Sequence, residues 1–264
     1  MNPVVILPAA LRERAPQIAQ DLAASVLLGG GQFCTKPGVI FVVGDERRQL
    51  GQALATQVQS AAPAVMLNQP IRNAFAARTA EMASTAGVMA LVSGHSAGFA
   101  QQSPMILAAP AEVFLREPKL HEEAFGPGVL VIDCDSVGQA IECIQSLGGN
   151  LTGTVHAGDS DDPSLIRLVM HALESIAGRV ILNGYPTGVE VGRAIVHGGP
   201  YPATTDSSTT SVGAAAIRRF VRPVAYQNVS QNLLPLALRD DNPLGIIRLV
   251  DGRLTSEAIK TSAH

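Results

Sequence analysis

The strongest constraint on this 264-residue chain is a recurrence of short, wholly apolar runs, each bounded by glycine or proline and most followed by a segment of helical periodicity. "NPVVILP" precedes "ALRERAPQIAQDLAASVLL", where Leu11, Ile18, Leu22 and Val26 fall near helical spacing until Gly29, Gly30 and Gly31 stop the pattern. "GVIFVVG" precedes a helical stretch behind Asp45, a candidate N-cap. "GVLVIDC" precedes "SVGQAIECIQSL". "LTGTVHAG" precedes "DPSLIRLVMHALESIAG", which opens with Pro163 at a first-turn position and is expected to end on Gly178. Residues 69–85 read as a further helix, and "GVMALVSG", "MILAAP" and "RVILNGY" as further strands. Strands that are apolar at every position are buried on both faces, the condition of a parallel sheet covered by helices. The expected class is α/β, a mainly parallel sheet with helices on both faces.

Several functions are disfavoured by composition. Hydrophobic residues make up 47% of the chain and tryptophan is absent, so the core is built from Val, Ile, Leu and Ala. A net charge of −3 provides no basic field for nucleic acid. No stretch reaches the roughly 18 apolar residues of a membrane span, and the first residues lack the pattern of a signal peptide. Three cysteines, Cys34, Cys134 and Cys143, are an odd and widely spaced set that fits neither a disulfide framework nor a zinc site. A reducing, cytoplasmic setting is the expectation.

From about residue 184 the pattern changes. "GYPTGVEVGRAIVHGGPYPATTDSSTTSVG" is rich in Gly, Pro, Ser and Thr, and a structureless loop of that length is unusual unless it wraps the domain and lines something. A short helix is expected in "AAAIRRFVRPVAY", then a polar tail with one apolar segment, "GIIRLVDG". The expected division is a domain over residues 1–222 and a tail over 223–264 that packs on the domain or on a partner subunit.

Two short stretches carry candidate chemistry. In "GGGQFCTKPG" glycines precede Cys34, allowing a sharp backbone turn that can bring N–H groups close to a reacting carbonyl, with Lys36 as a nearby positive charge. A small buried structural cysteine is the alternative. In "HEEAFGPG" the pair Glu122 and Glu123 precedes a Phe-Gly-Pro turn; one carboxylate could take ribose hydroxyls while Phe125 packs on a flat ring, or both could be solvated surface. The six histidines, His95, His121, His156, His171, His197 and His264, show no metal spacing, and the residues alone single out none.

"GQFCT" at 31–35, with "EEAFGPGVLVI" at 122–132, resembles the aldehyde dehydrogenase superfamily in order and spacing. "NPVVILP", "GRVILNGYPTGVEV" and "HGGPYPATTDSSTTSVG" resemble the branch of α-ketoglutaric semialdehyde (2,5-dioxovalerate) and NADP-dependent fatty aldehyde dehydrogenases. The resemblance implies that Cys34 is the nucleophile, forming a thiohemiacetal and then a thioester, with its own N–H as an oxyanion donor. It implies that Glu123 holds the nicotinamide ribose with Phe125 beside the ring, and that Phe33 and Thr35 line the aldehyde tunnel. The implied cofactor is NADP or NAD, and the implied substrate a small-molecule aldehyde. Lys36 is a conceivable partner for the distal carboxylate of a semialdehyde, with an ordinary surface lysine as the alternative.

The family's dinucleotide-binding domain, general-base glutamate and oxyanion asparagine have no counterpart in the residues given. The expectation is a catalytic domain without its N-terminal dinucleotide-binding domain, inactive alone and a homo-oligomer. It would be one part of a split or divided enzyme, or else a non-catalytic remnant or oligomerisation module of that family.

Overall fold

The computed structural model describes residues 1–259, so His264 and the last residues of the expected tail lie outside it. Its strands are β1 (Pro3–Ile6), β2 (Val39–Val43), β3 (Ala64–Val65), β4 (Met89–Val92), β5 (Gln101–Gln102), β6 (Met105–Pro110), β7 (Gly128–Cys134), β8 (Asn150–His156), β9 (Ala177–Leu182), β10 (Arg248–Val250) and β11 (Arg253–Thr255). Its α-helices are α1 (Pro8–Leu27), α2 (Arg47–Gln59), α3 (Gln69–Ala83), α4 (Ala111–Arg116), α5 (Val137–Gln145) and α6 (Pro163–Glu174).

Seven strands form one sheet in the order β4-β6-β7-β2-β1-β8-β9. Every pairing in it is parallel except β4 with β6 at the edge. The expected class is the one observed. Within β1 and β2 successive residues point to opposite faces, so the sheet sorts its apolar residues into two cores. Val5, Val39 and Phe41 pack with Phe114, Cys143, Ile144 and Leu173 on one face. Val4, Ile6, Ile40 and Val42 pack with Leu11, Ile18, Leu22, Leu50 and Leu54 on the other. All five residues of β2 are buried, as strands covered on both faces require.

Some boundaries differ from the sequence reading. Asp45 does not cap α2, whose N-cap is Glu46 without a side-chain hydrogen bond. Gly178 does not end α6; the helix stops at Glu174 and Gly178 already lies in β9. A chain reversal of so few residues left no room for a glycine cap between helix and strand. Pro163 does open α6, behind Asp162, whose carboxylate accepts from Ser164 N. The stretch expected as a short helix forms 3₁₀ turns over Ala214–Phe220.

The chain divides into two compact units, Met1–Arg219 and a second that begins at Phe220. The second holds the antiparallel β10–β11 pair and exposes apolar side chains such as Phe220, Leu233 and Ile247. Among the described residues no helix is long and apolar enough to cross a membrane.

Candidate active site

The candidate residues gather at the amino ends of the parallel strands. Helix α1 ends at Leu27 and the chain turns through Leu28–Gly31 with φ of +60° at Gly29, +68° at Gly30 and +68° at Gly31. At Gly31 a Cβ would overlap the Gly126 carbonyl, so only glycine lets these two backbones touch. That contact joins the two motifs across the sequence separating them. Cys34 follows, with a tight turn closed by Lys36 N donating to Phe33 O at 3.1 Å.

The loop is pinned from below by Asn2, which is buried and holds a left-handed φ of +52°. Its Nδ2 donates to the carbonyls of Cys34 at 2.9 Å and Lys36 at 3.1 Å. Its Oδ1 accepts from Thr152 N and Oγ1 at 3.1 and 3.2 Å, and its own N–H donates to Asn150 Oδ1 at 2.9 Å. One side chain therefore ties the nucleophile loop to β1 and β8. Sequence reading did not assign Asn2 a role.

Cys34 is exposed, and its Sγ lies 3.3 Å from His197 Nε2. His197 comes from the Gly- and Ser-rich loop after β9, where its N–H donates to Thr210 Oγ1 at 2.8 Å and its carbonyl accepts from Ser211. Partial burial, and then the Arg179 guanidinium, hold its pKa below the ordinary histidine value. A neutral imidazole beside a thiol can accept the thiol proton. The residues alone singled out no histidine; the only signal was that His197 stands within "HGGPYPATTDSSTTSVG". Cys134 and Cys143 are fully buried, and the Cys134 thiol is pushed up by its contact with Cys143 and by burial.

Cys34, Glu123 and Phe125 line one cavity of about 520 Å³, together with Asn150, Gly149 and Pro202 among others. Glu123 is exposed and forms no ion pair among the described residues, whereas Glu122 reaches Arg78 at 3.5 Å. Phe33 and Thr35 are not among the residues lining this cavity. Phe33 lies beside Gly29 and is 40% exposed, and Thr35 is buried.

Lys36 is neither the surface lysine nor the free cation considered from sequence. It is fully buried, with Nζ donating to Gly128 O at 2.9 Å and Ala124 O at 3.2 Å. Burial pushes its pKa down to about 8 against the opposing pull of Glu123. The ammonium thus straps the Phe-Gly-Pro arm onto the cysteine loop, and both its tail and its charge are committed there.

No family model matches the chain. It is 44% identical over 258 residues to an α-ketoglutaric semialdehyde dehydrogenase of Acinetobacter baylyi, covering 97% of this chain and 49% of that protein. It is 42% identical over 255 residues to α-ketoglutaric semialdehyde dehydrogenase 2 of Azospirillum brasilense, covering 96% and 48%. This chain is a relative of the aldehyde dehydrogenases. It spans about half the length of the curated relatives it matches.

Solved structures agree in fold. A lactaldehyde dehydrogenase superposes with a TM-score of 0.69 at 15% identity, over 84% of this chain and 45% of that one. Aldehyde dehydrogenase C of Pseudomonas syringae, solved with NAD+ and octanal, gives 0.67 at 18% identity, over 83% and 44%. In an aldehyde dehydrogenase relative, the donor set here suits one end of a nicotinamide dinucleotide. A carboxylate without an ion-pair partner among the described residues and a phenyl ring share a cavity with the thiol. The Leu28–Gly31 turn follows the carboxyl end of α1, so its dipole does not favour a pyrophosphate there. Among the described residues no cluster of three metal-ligating side chains occurs.

Proposed function

We propose that this chain carries the nucleophile-bearing half of an NAD(P)-dependent aldehyde dehydrogenase that oxidises α-ketoglutaric semialdehyde to the dicarboxylic acid. The observation that carries this reading is an exposed thiol, 3.3 Å from an imidazole, in the same cavity as Glu123 and Phe125. His197 Nε2 takes the proton as Cys34 Sγ attacks the aldehyde carbon, forming a thiohemiacetal. The Cys34 N–H, which makes no hydrogen bond among the described residues, is the oxyanion donor this loop supplies. A nicotinamide cofactor, when bound, would supply the acceptor for the hydride lost from the thiohemiacetal carbon. Glu123 would hold its ribose and Phe125 would pack beside its ring, both lining the cavity that Cys34 faces. Water then cleaves the Cys34 thioester, releasing the acid and restoring the thiol. Phe33, which is exposed, borders the nucleophile on the aldehyde side, whereas the buried Thr35 has no open face to offer a substrate.

The chain alone should deacylate slowly. Among the described residues, the thiol's hydrogen-bond partner is His197, and no carboxylate contacts it to activate water. With the imidazole assigned to the thiol proton, the absence of a separate base for the deacylating water costs about 10²–10⁴ in rate. We further propose a cytoplasmic, homo-oligomeric enzyme in which residues 1–222 form the catalytic domain and 223–264 a tail that packs on it or on a partner.

The test is NAD(P)H formation from the semialdehyde, with and without the N-terminal half of the Acinetobacter baylyi relative supplied as a separate chain. Formation with the added half, abolished by Cys34→Ala, is the expected result. Equal formation by wild type and Cys34→Ala would remove the reading.

A further inference from the structure

The turn that carries the nucleophile is held by its carbonyls. Phe33 O accepts from Lys36 N at 3.1 Å, and Asn2 Nδ2 donates to Cys34 O at 2.9 Å and to Lys36 O at 3.1 Å. The Asn2 amide can stand only one way round. Its two N–H groups face carbonyls, which accept, and its Oδ1 faces Thr152 Oγ1 and the Thr152 backbone N–H, which can only donate. Every hydrogen-bonding position of the side chain is filled and Asn2 is 3% exposed, so it is a fixed part of the cavity wall it shares with Cys34. Its φ of +52° is a conformation that asparagine and glycine tolerate better than most residues.

What the carbonyls do decides where the N–H groups point. In a trans peptide an N–H points opposite to the carbonyl before it. Phe33 O is turned inward onto Lys36 N, so the Cys34 N–H points out of the turn, and it makes no hydrogen bond among the described residues. Asn2 fixes the next peptide plane through Cys34 O and the end of the turn through Lys36 O. The direction of that free N–H therefore depends on a side chain whose own polar atoms are all committed to the protein.

We propose that Asn2 is a positioning residue that aims the Cys34 N–H at the oxyanion formed when Cys34 attacks a carbonyl. The inference rests on the aldehyde dehydrogenase reading and deepens it, because it ties the rigidity of the turn to carbonyl addition and not to thiol reactivity in general. Two reagents separate these at one sulfur. Iodoacetamide alkylates a thiolate with loss of iodide and forms no oxyanion, so it reports access and ionisation alone. Acylation by p-nitrophenyl acetate passes through a tetrahedral oxyanion. The Sγ–C bond forms, the bond from that carbon to nitrophenolate breaks, and the thiol proton passes to His197.

The test follows both reactions at Cys34 by peptide mass spectrometry, with the nitrophenolate burst as a second readout and Cys34→Ala as the blank; neither reaction needs cofactor. The wild-type ratio of acylation to alkylation should exceed that of free glutathione by about tenfold. Asn2→Gly keeps the left-handed backbone and deletes the amide; it should bring the ratio to the glutathione value and leave alkylation within about twofold. Asn2→Asp, which keeps an acceptor for Thr152 and lacks the donors, should do the same. Thr152→Val removes one hydroxyl from Oδ1 and no bond to the turn, and should hold the wild-type ratio. An unchanged ratio in the Asn2 variants, a parallel fall of both rates, or an equal fall in Thr152→Val would overturn the proposal, because Asn2 would then serve the fold alone. If neither Asn2 variant folds, the wild type decides, and a ratio equal to that of glutathione overturns it. A Cys34 that outpaces glutathione in alkylation only leaves the nucleophile in place, whereas a Cys34 slower than glutathione with both reagents removes the parent reading as well.

Discussion

The two ends of the parallel sheet are built from similar residues and have opposite fates. At the carboxyl ends, where open α/β sheets ordinarily present ligands, this chain binds itself. The Asp161 carboxylate accepts from Ala9 N at 2.9 Å and Ala10 N at 3.3 Å at the start of α1, and from Gly158 N at 2.8 Å. Arg14 Nη2 donates to Ala157 O and Asn183 Oδ1, and Glu13 accepts from Asp159 N. The helix N-terminus, a natural anion site, is filled by an internal anion. At the amino ends the backbone is just as well tied, by Asn2 and Lys36, yet Cys34 and Glu123 face a cavity. The lesson is that polar residues in loops do not mark a site. A site is marked by polar groups left unsatisfied on a scaffold that is otherwise satisfied.

The sharpest way to break this comparison is chemical. Brief, sub-stoichiometric iodoacetamide should label Cys34 roughly a hundredfold faster than Cys134 or Cys143, because the buried thiols react only through local opening. Label found first on Cys134 or Cys143 would mean that the amino end is closed.

Lys36 offers the largest effect on stability. Its ordinary pKa is 10.5 and its folded value about 8, so between these the unfolded chain holds the proton and the folded chain does not. Stability should therefore rise with pH from about 8 to 10.5, by about 3 kcal/mol at most. Urea midpoints across that range should climb in the wild type and stay flatter in Lys36→Met. A wild-type midpoint that falls there would contradict the buried ammonium.

Asp161→Ala sharpens the contrast from the other end. It strips three N–H groups of their acceptor and should cost about 2 kcal/mol in urea unfolding. The rate of Cys34 alkylation should stay within about twofold of wild type, since local caps couple weakly to distant sites. A large change in that rate would show that the two ends are not independent. The smallest effect belongs to Glu122→Gln. Its contact with Arg78 is 3.5 Å and solvent-exposed on the Glu122 side, and Arg78 already pairs with Glu81 at 2.7 Å, so less than about 0.5 kcal/mol should be lost.

Much was legible in the chain itself. Runs such as "GVIFVVG" are apolar at every position because both faces of a central strand are covered, and that pattern determined the α/β class without any long-range information. Cys34, Glu123 and Phe125 stood out through the resemblance of "GQFCT" and "EEAFGPGVLVI" to a known family, whereas the residues alone left a structural cysteine and solvated carboxylates open. Helix ends and the Asp45 cap were not legible, since such choices are settled by a few tenths of a kcal/mol that packing overrides.

Other features were decided only by the tertiary structure. Asn2 holds the Cys34 carbonyl and His197 meets its thiol across separations of 32 and 163 residues, and nothing in their neighbours' identity encodes that meeting. Lys36 shows the same limit from the other side. Sequence placed it two residues from the nucleophile and left it as a surface or substrate cation, whereas the fold buried it against carbonyls contributed from residues 124 and 128. Local patterns record which faces must be dry, because hydrophobic burial is summed residue by residue along each strand and helix. Which polar atoms stay unpaired depends on where distant backbones come to rest, and only the assembled sheet determines that.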